Sequence, residues 1–374
     1  MQQINPFLLE GYISPEYFCD RAVETEILKE HLLNQRNVAL IAKRRLGKSG
    51  LIRNCFYSDD IQKNFYTFYV DIYDTKNLPE FTYELGRGIL DALKPLGKKV
   101  WGEFITLLKS LKTGITFDIN GTPEWNVSMG ELQMPDILLD EIFEYLETAD
   151  RPCLVAIDEF QVIADYPERT IEATLRKRIQ NCHNVHFVYS GSKRHMMAEM
   201  FASNSRPFYN SAVLMGLDPI DSVLYEDFAN RHLCNNSQQI SHAAFLHLYD
   251  RFEGVTWYIQ YVLNILYAHK SRNIVYERVD VDSAIQLILQ RNAFAYRSLL
   301  YQLAPKQKEV LRAIAKEGKV EGIMSKRFLS AHHLTSSTVQ GAVKTLLERD
   351  FITNEDGVFY VYDQFFSLWL SRSI

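Results

Sequence analysis

The run Asn37-Val38-Ala39-Leu40-Ile41-Ala42-Lys43-Arg44-Arg45-Leu46-Gly47-Lys48-Ser49-Gly50 constrains this chain more than any other stretch. Four apolar residues suited to a buried strand lead into a short basic loop. Leu51-Ile52-Arg53-Asn54-Cys55-Phe56 then continues as a helix. A strand, a tight loop and a helix N-terminus in that order form an anion cradle, because backbone N–H groups and the positive helix end face the ligand. Ala42, Lys43, Arg44, Arg45, Leu46, Gly47, Lys48, Ser49 and Gly50 are therefore expected to wrap phosphates, with Lys48 on the outer groups and the Ser49 hydroxyl on Mg²⁺. The pattern usually opens on glycine, which tolerates backbone angles that the Ala42 found here avoids. Alone, the run supports phosphate binding and competes with a chance Gly-Lys-Ser in a basic surface loop.

A second piece decides between these readings. Leu154-Val155-Ala156-Ile157 is a buried apolar strand that ends in Asp158-Glu159, and carboxylates at a strand end are desolvated unless paired or bound to metal. Asp158 is expected to complete the Mg²⁺ shell and Glu159 to activate a water. A third strand, Val185-His186-Phe187-Val188-Tyr189, ends in hydroxyls at Ser190 and Ser192. Ser192 is the first choice for a contact with the outer phosphate or the attacking water, and Ser190 the second. Capping of a helix over 193–200 by Ser192 is the competing reading.

These strands belong to a set of five before residue 220: Val38–Ile41, Phe65–Tyr73, Cys153–Ile157, Val185–Tyr189 and Ala212–Leu217. Stretches with helical spacing separate them, which predicts an α/β core with a parallel five-stranded sheet covered on both faces. Residues 110–130 alternate in polarity around Asn120-Gly121-Thr122-Pro123 and read as a strand or hairpin inserted beside that sheet. After Asp218-Pro219 the pattern turns helical, over Ser222–Leu233, Ala243–Phe252 and Trp257–Tyr267. From Pro305 the spacing predicts a helix over Lys306–Lys316, a second from Ser325 to His333, a third capped by Ser336 or Ser337 and ending at Arg349, and two strands turning at Glu355-Asp356-Gly357. Three helices and a hairpin make a winged helix. The expected domains are 1–219, a helical lid over 220–304, and the winged helix over 305–374.

A formal net charge of −5 argues against a protein that coats nucleic acid nonspecifically. Five scattered cysteines without metal spacing read as buried or partly buried free thiols. The sequence shows no signal peptide and no apolar run of membrane-spanning length, so a cytoplasmic protein with no membrane partner is expected.

Tyr17-Phe18-Cys19-Asp20-Arg21, the loop ending Leu46-Gly47-Lys48-Ser49, Ile157-Asp158-Glu159-Phe160-Gln161, Tyr189-Ser190-Gly191-Ser192 and the closing Tyr362-Asp363-Gln364-Phe365-Phe366-Ser367-Leu368-Trp369-Leu370 together resemble the archaeal-type ATPases of the AAA+/STAND P-loop group, which also occur in bacteria. The resemblance implies ATP and Mg²⁺ as cofactors and an adenine-side box at Phe18 and Arg21. Read from its residues alone, that box is an Asp20 N-cap with an acidic first turn. Thr256 stands where the family has proline in Gly-x-Pro. Arg206 is the preferred arginine finger, ahead of Arg169, Arg176 and Arg178. On the third winged-helix segment Ser337, Gln340, Lys344 and Thr345 face outward as readers of a DNA groove, and Lys326, Arg327 and Lys344 are candidate phosphate contacts; protein docking is the equal alternative. The expected function is an ATP-hydrolysing switch that couples nucleotide state to the winged helix, with self-association as a further expectation. The rival is a nucleotide-responsive DNA-binding regulator in which hydrolysis is incidental.

Overall fold

The computed structural model describes residues 4–111, 114–126, 132, 134–269 and 273–372. They form two compact units, one over 10–220 and one built from 4–9 together with 221–372.

In the first unit five strands make one parallel sheet: β1 (Val38–Ile41), β2 (Tyr66–Asp71), β3 (Cys153–Asp158), β4 (Val185–Gly191) and β5 (Val213–Gly216), in the order β2-β3-β4-β1-β5. β3 and β4 are buried at every position, as a central parallel strand covered on both faces must be. Register brings Asp71 beside Asp158, and Ile41 between Gly191 and Gly216. The carboxyl ends of the strands thus finish at one rim, where open parallel sheets place their ligands. Beneath that rim Phe160, Tyr189, Phe201 and Phe208 form a dry cluster with ring centroids 4.6–5.9 Å apart.

The alternating stretch is a hairpin of Ile115–Phe117 with Pro123–Trp125, but it forms its own two-stranded sheet and does not join the main one. Residues 112–113 and 127–130 of that stretch lie outside the described residues. The Trp125 ring lies where a Cβ on Gly86 would stand, which seats the hairpin on the helix Leu78–Leu93.

In the second unit helices Ser222–Cys234, His242–Arg251, Thr256–Tyr267 and Arg278–Tyr301 precede the winged helix. A small parallel pair, Gln238–Ile240 with Ile274–Tyr276, was not legible in the sequence. The winged helix comprises Pro305–Glu317, Lys326–Ala331, Ser336–Glu348 and a sheet in which Lys319–Glu321 and Ile352–Glu355 flank Val358–Val361. Its third helix is capped by Thr335, whose hydroxyl accepts from the Thr338 N–H; Ser336 is already helical, so neither expected serine is the cap. The closing helix Gln364–Arg372 packs Phe365 among Phe252, Trp257, Tyr258 and Tyr261, and Phe366 and Trp369 on Tyr296. This packing gives the aromatic closing motif its physical reason. Residues 4–9 also belong here: Asn5 and Asn264 side chains each donate to the other segment's backbone, and the buried Phe7 ring meets Phe228, His232 and Tyr267.

Cys19, Cys55 and Cys153 are buried and Cys182 half-buried, but Cys234 is exposed at the end of its helix, contrary to the expectation for all five. Among the described residues no helix is long and apolar enough to cross a membrane.

Candidate nucleotide site

The loop between β1 and the helix Lys48–Tyr57 stands at the rim described above. Its left-handed positions are Arg45 at φ 69° and Gly47 at φ 92°; Ala42 is not among them. The first position therefore does not require glycine, which accounts for the departure at Ala42. Arg45 carries the strain instead, about 1 kcal/mol for a non-glycine residue there. Gly50 has a separate constraint, since a Cβ there would stand 3.1 Å from the Phe18 ring. Phe18 thereby covers the first turn of the loop's helix.

Arg21 is almost wholly buried, pairs with Glu24 at 2.6 Å and donates to the Leu46 carbonyl at 3.3 Å. It braces the loop from within the protein. Asp20 is not the N-cap of the following helix: Asp20 and Arg21 are both left-handed, Arg21 holds the cap position, and no side-chain cap bond forms.

Lys48 Nζ is buried and rests on the carbonyls of Ala42 at 3.3 Å and Lys43 at 3.4 Å. Burial lowers its pKa, and the charges of Glu159 and Asp158 oppose that. Ser49 Oγ donates to Asp158 Oδ2 at 2.7 Å, so residues 109 apart in sequence meet at one point. The Tyr69 hydroxyl donates to the same oxygen. Burial by itself would raise the Asp158 pKa. Bonds from Tyr69 and Ser49, the neighbouring Ser190 hydroxyl and the Lys48 charge outweigh it and hold the carboxyl below its ordinary range. Arg53 stacks over the Tyr69 ring at 3.9 Å, which fixes the phenol from behind.

Glu159 follows in the left-handed region at φ 57° and opens the 3-10 helix Phe160–Asp165. Its Oε2 accepts from Ser192 Oγ at 2.7 Å and from Gln161 Nε2 at 2.6 Å. Ser192 therefore serves the glutamate rather than a cap, since Lys193 holds the cap position of the helix Arg194–Ala202. Ser190 Oγ is buried near the Asp158 carboxylate.

The donor set fits a triphosphate with Mg²⁺. A buried ammonium on two long bonds to loop carbonyls could be completed by phosphate oxygens, and the paired Ser49 hydroxyl and Asp158 carboxylate offer the hard oxygens that Mg²⁺ prefers. Tyr69 is not singled out by the sequence, and Gln161 enters there only as part of a motif, without a role. Only the β2–β3 pairing would have pointed to the first, and the two-residue spacing from Glu159 to the second.

The Arg206 guanidinium pairs with Glu172 and, at 3.2 Å, with Glu199. Arg178 likewise pairs with Asp140 at 2.6 Å, while Arg169 is exposed and Arg176 half-buried. Thr256 is the first residue of its helix, a position that proline also favours. In the winged helix Val339, Ala342 and Leu346 are buried, whereas Ser337, Gln340 and Lys344 form one exposed face and Thr345 is half-buried. Lys326 and Arg327 are exposed at the start of the second helix.

A model of a probable winged helix domain matches residues 294–372. The Walker-type ATPase of Pyrococcus abyssi is similar over 98% of this chain and 99% of its own, at 16% identity and a TM-score of 0.65. This chain has the fold of a P-loop ATPase with a C-terminal winged helix. The P-loop fold recurs at 15% identity and a TM-score of 0.56 in the Aeropyrum pernix ORC2 protein, solved in ADPNP–ADP complexes and covering 99% of this chain and 96% of that one. The Aeropyrum pernix ORC1 protein, solved in complex with DNA, gives 14% identity and a TM-score of 0.54 over 96% and 93% of the two chains. No curated protein matches the sequence.

Proposed function

We propose that the chain is a cytoplasmic, Mg²⁺-dependent ATPase of the AAA+/STAND type that works as a slow switch. The observation carrying this reading is the Ser49–Asp158 bond of 2.7 Å beside Lys48 and Glu159. Lys48 and the backbone of residues 42–50 would hold the phosphates, with Ser49 and Asp158 on the metal. When bound, Mg²⁺ neutralises charge on the outer phosphates. Glu159 would take the proton of the attacking water, and Ser192 would keep its carboxylate in place. Phe18 lies against the loop helix on the side proposed for adenine. In this reading 10–219 is the catalytic core, 220–304 a lid against which residues 4–9 pack, and 305–374 the recognition module, and nucleotide state governs self-association. Lys48→Ala should weaken ATP binding by about 100-fold, the loss of a buried charge-assisted contact. Titration calorimetry with ATP and Mg²⁺ reads this directly, and unaltered affinity would sink the proposal.

A second reading, DNA binding, is favoured by the exposed Ser337–Gln340–Lys344 face and by the DNA complex of the ORC1 neighbour. Lys344 keeps its charge accessible, since its side chain is 79% exposed even though it pairs with Glu348 at 3.9 Å. A duplex titrated at several salt concentrations should bind more weakly as salt rises, and Lys344→Glu should reduce the salt slope by about one contact. Absence of binding at every salt concentration would leave protein docking as the role of this face.

A further inference from the structure

Gln161 is buried at the start of the 3-10 helix, and its two amide ends have opposite surroundings. Nε2 donates to Glu159 Oε2 at 2.6 Å. Among the described residues, Oε1 is buried without a hydrogen-bond partner. That oxygen lies 2.4 Å from where a Cβ on Gly191 would stand, and Met197 Cγ and Sδ lie 2.5 Å from the same point. Gly191 ends β4 and pairs with Ile41, so its backbone is fixed by the sheet. The amide thus sits in a slot that any side chain at 191 would fill.

A glutamine held for packing alone would turn to satisfy its oxygen. Here the oxygen stays unmet while the N–H end meets the carboxylate, and the reversed amide would set oxygen against oxygen. Ser192 reaches Glu159 Oε2 as well, so both bonds converge on one oxygen and leave Oε1 to take a proton.

We propose that Gln161, seated over Gly191, is a positioning residue that fixes the direction of the Glu159 carboxylate. The inference rests on the hydrolytic role proposed for Glu159. Gly191 acts through the same amide: its missing side chain is what lets Gln161 lie there.

Steady-state ATP hydrolysis by the full chain, with ATP affinity measured separately, tests this. Gln161→Met keeps the length and loses the donor; kcat should fall about tenfold with KM for ATP unchanged, the signature of misplacement rather than lost binding. Gly191→Ala should lower kcat comparably by pushing the amide aside. The double variant Gly191→Ala/Gln161→Ala should lose less than the two single losses combined, because the added methyl then displaces only Met197. Additive losses would assign Gly191 a separate structural role. Should Gln161→Met fold poorly, near-isosteric Gln161→Glu sets a carboxylate against Glu159 and should likewise lower kcat. Wild-type kcat in a folded Gln161→Met protein, beside an inactive Glu159→Gln control, overturns the positioning role and leaves hydrolysis standing. A Glu159→Gln control as active as wild type overturns the hydrolytic role, and this inference falls with it.

Discussion

Glu159→Gln should leave ATP bound and slow its turnover by about 10²- to 10⁴-fold, the range for loss of a positioned general base. The exchange is nearly isosteric, so the left-handed backbone at 159 and the bond from Ser192 have no steric reason to change. Lys48, Ser49 and Asp158 keep their places, and with them the proposed phosphate and metal contacts. The lost property is the ability to accept a proton. Single-turnover hydrolysis with the nucleotide saturating separates that step from binding. Turnover equal to wild type would mean that another group takes the proton.

Phe7→Ala should destabilise the second unit by about 3–5 kcal/mol, the cost of truncating a fully buried aromatic side chain. The ring is fully buried and makes edge contacts with Phe228, His232 and Tyr267 at centroid distances of 5.9–6.2 Å. Those partners come from helices whose own packing cannot collapse into the space, since Phe228 and His232 already face each other at 4.6 Å. Trp257 offers a local probe, because its indole N–H donates to the Leu9 carbonyl at 3.1 Å. Urea unfolding followed by tryptophan fluorescence, with Trp101, Trp125 and Trp369 replaced by Phe so that Trp257 alone reports, should move to lower denaturant, and Phe7→Leu should recover most of the loss. An unchanged midpoint would show that residues 4–9 contribute nothing to that unit.

The parts of this molecule legible in its sequence are those that local pattern dictates. β1, β3 and β4 announce themselves because a strand covered on both faces must be apolar throughout. Ser49 and Asp158 were found by motif and lie in hydrogen-bond contact. The misses have a different character. Tyr69 reaches Asp158 only because β2 is laid beside β3, an adjacency with no local signature. The cap at Thr335 was passed over since Thr335, Ser336 and Ser337 all carry suitable hydroxyls, and only backbone angles select among them. Lys319–Glu321 is three residues with one apolar side chain, too short for alternation to show. The two carboxylates that pair with Arg206 come from separate helices, an arrangement with no local signature either.

Residues 4–9 pack with a unit whose other members begin only at Asp221, while Glu10 opens the intervening one. The winged-helix unit is therefore interleaved with the ATPase unit along the chain. Exchange of its distal part for that of a relative would strand Phe7 without the aromatic cage to which it is matched. A chimaera that keeps this cage filled must carry residues 4–9 and the helices of Phe228, His232 and Tyr267 from the same parent.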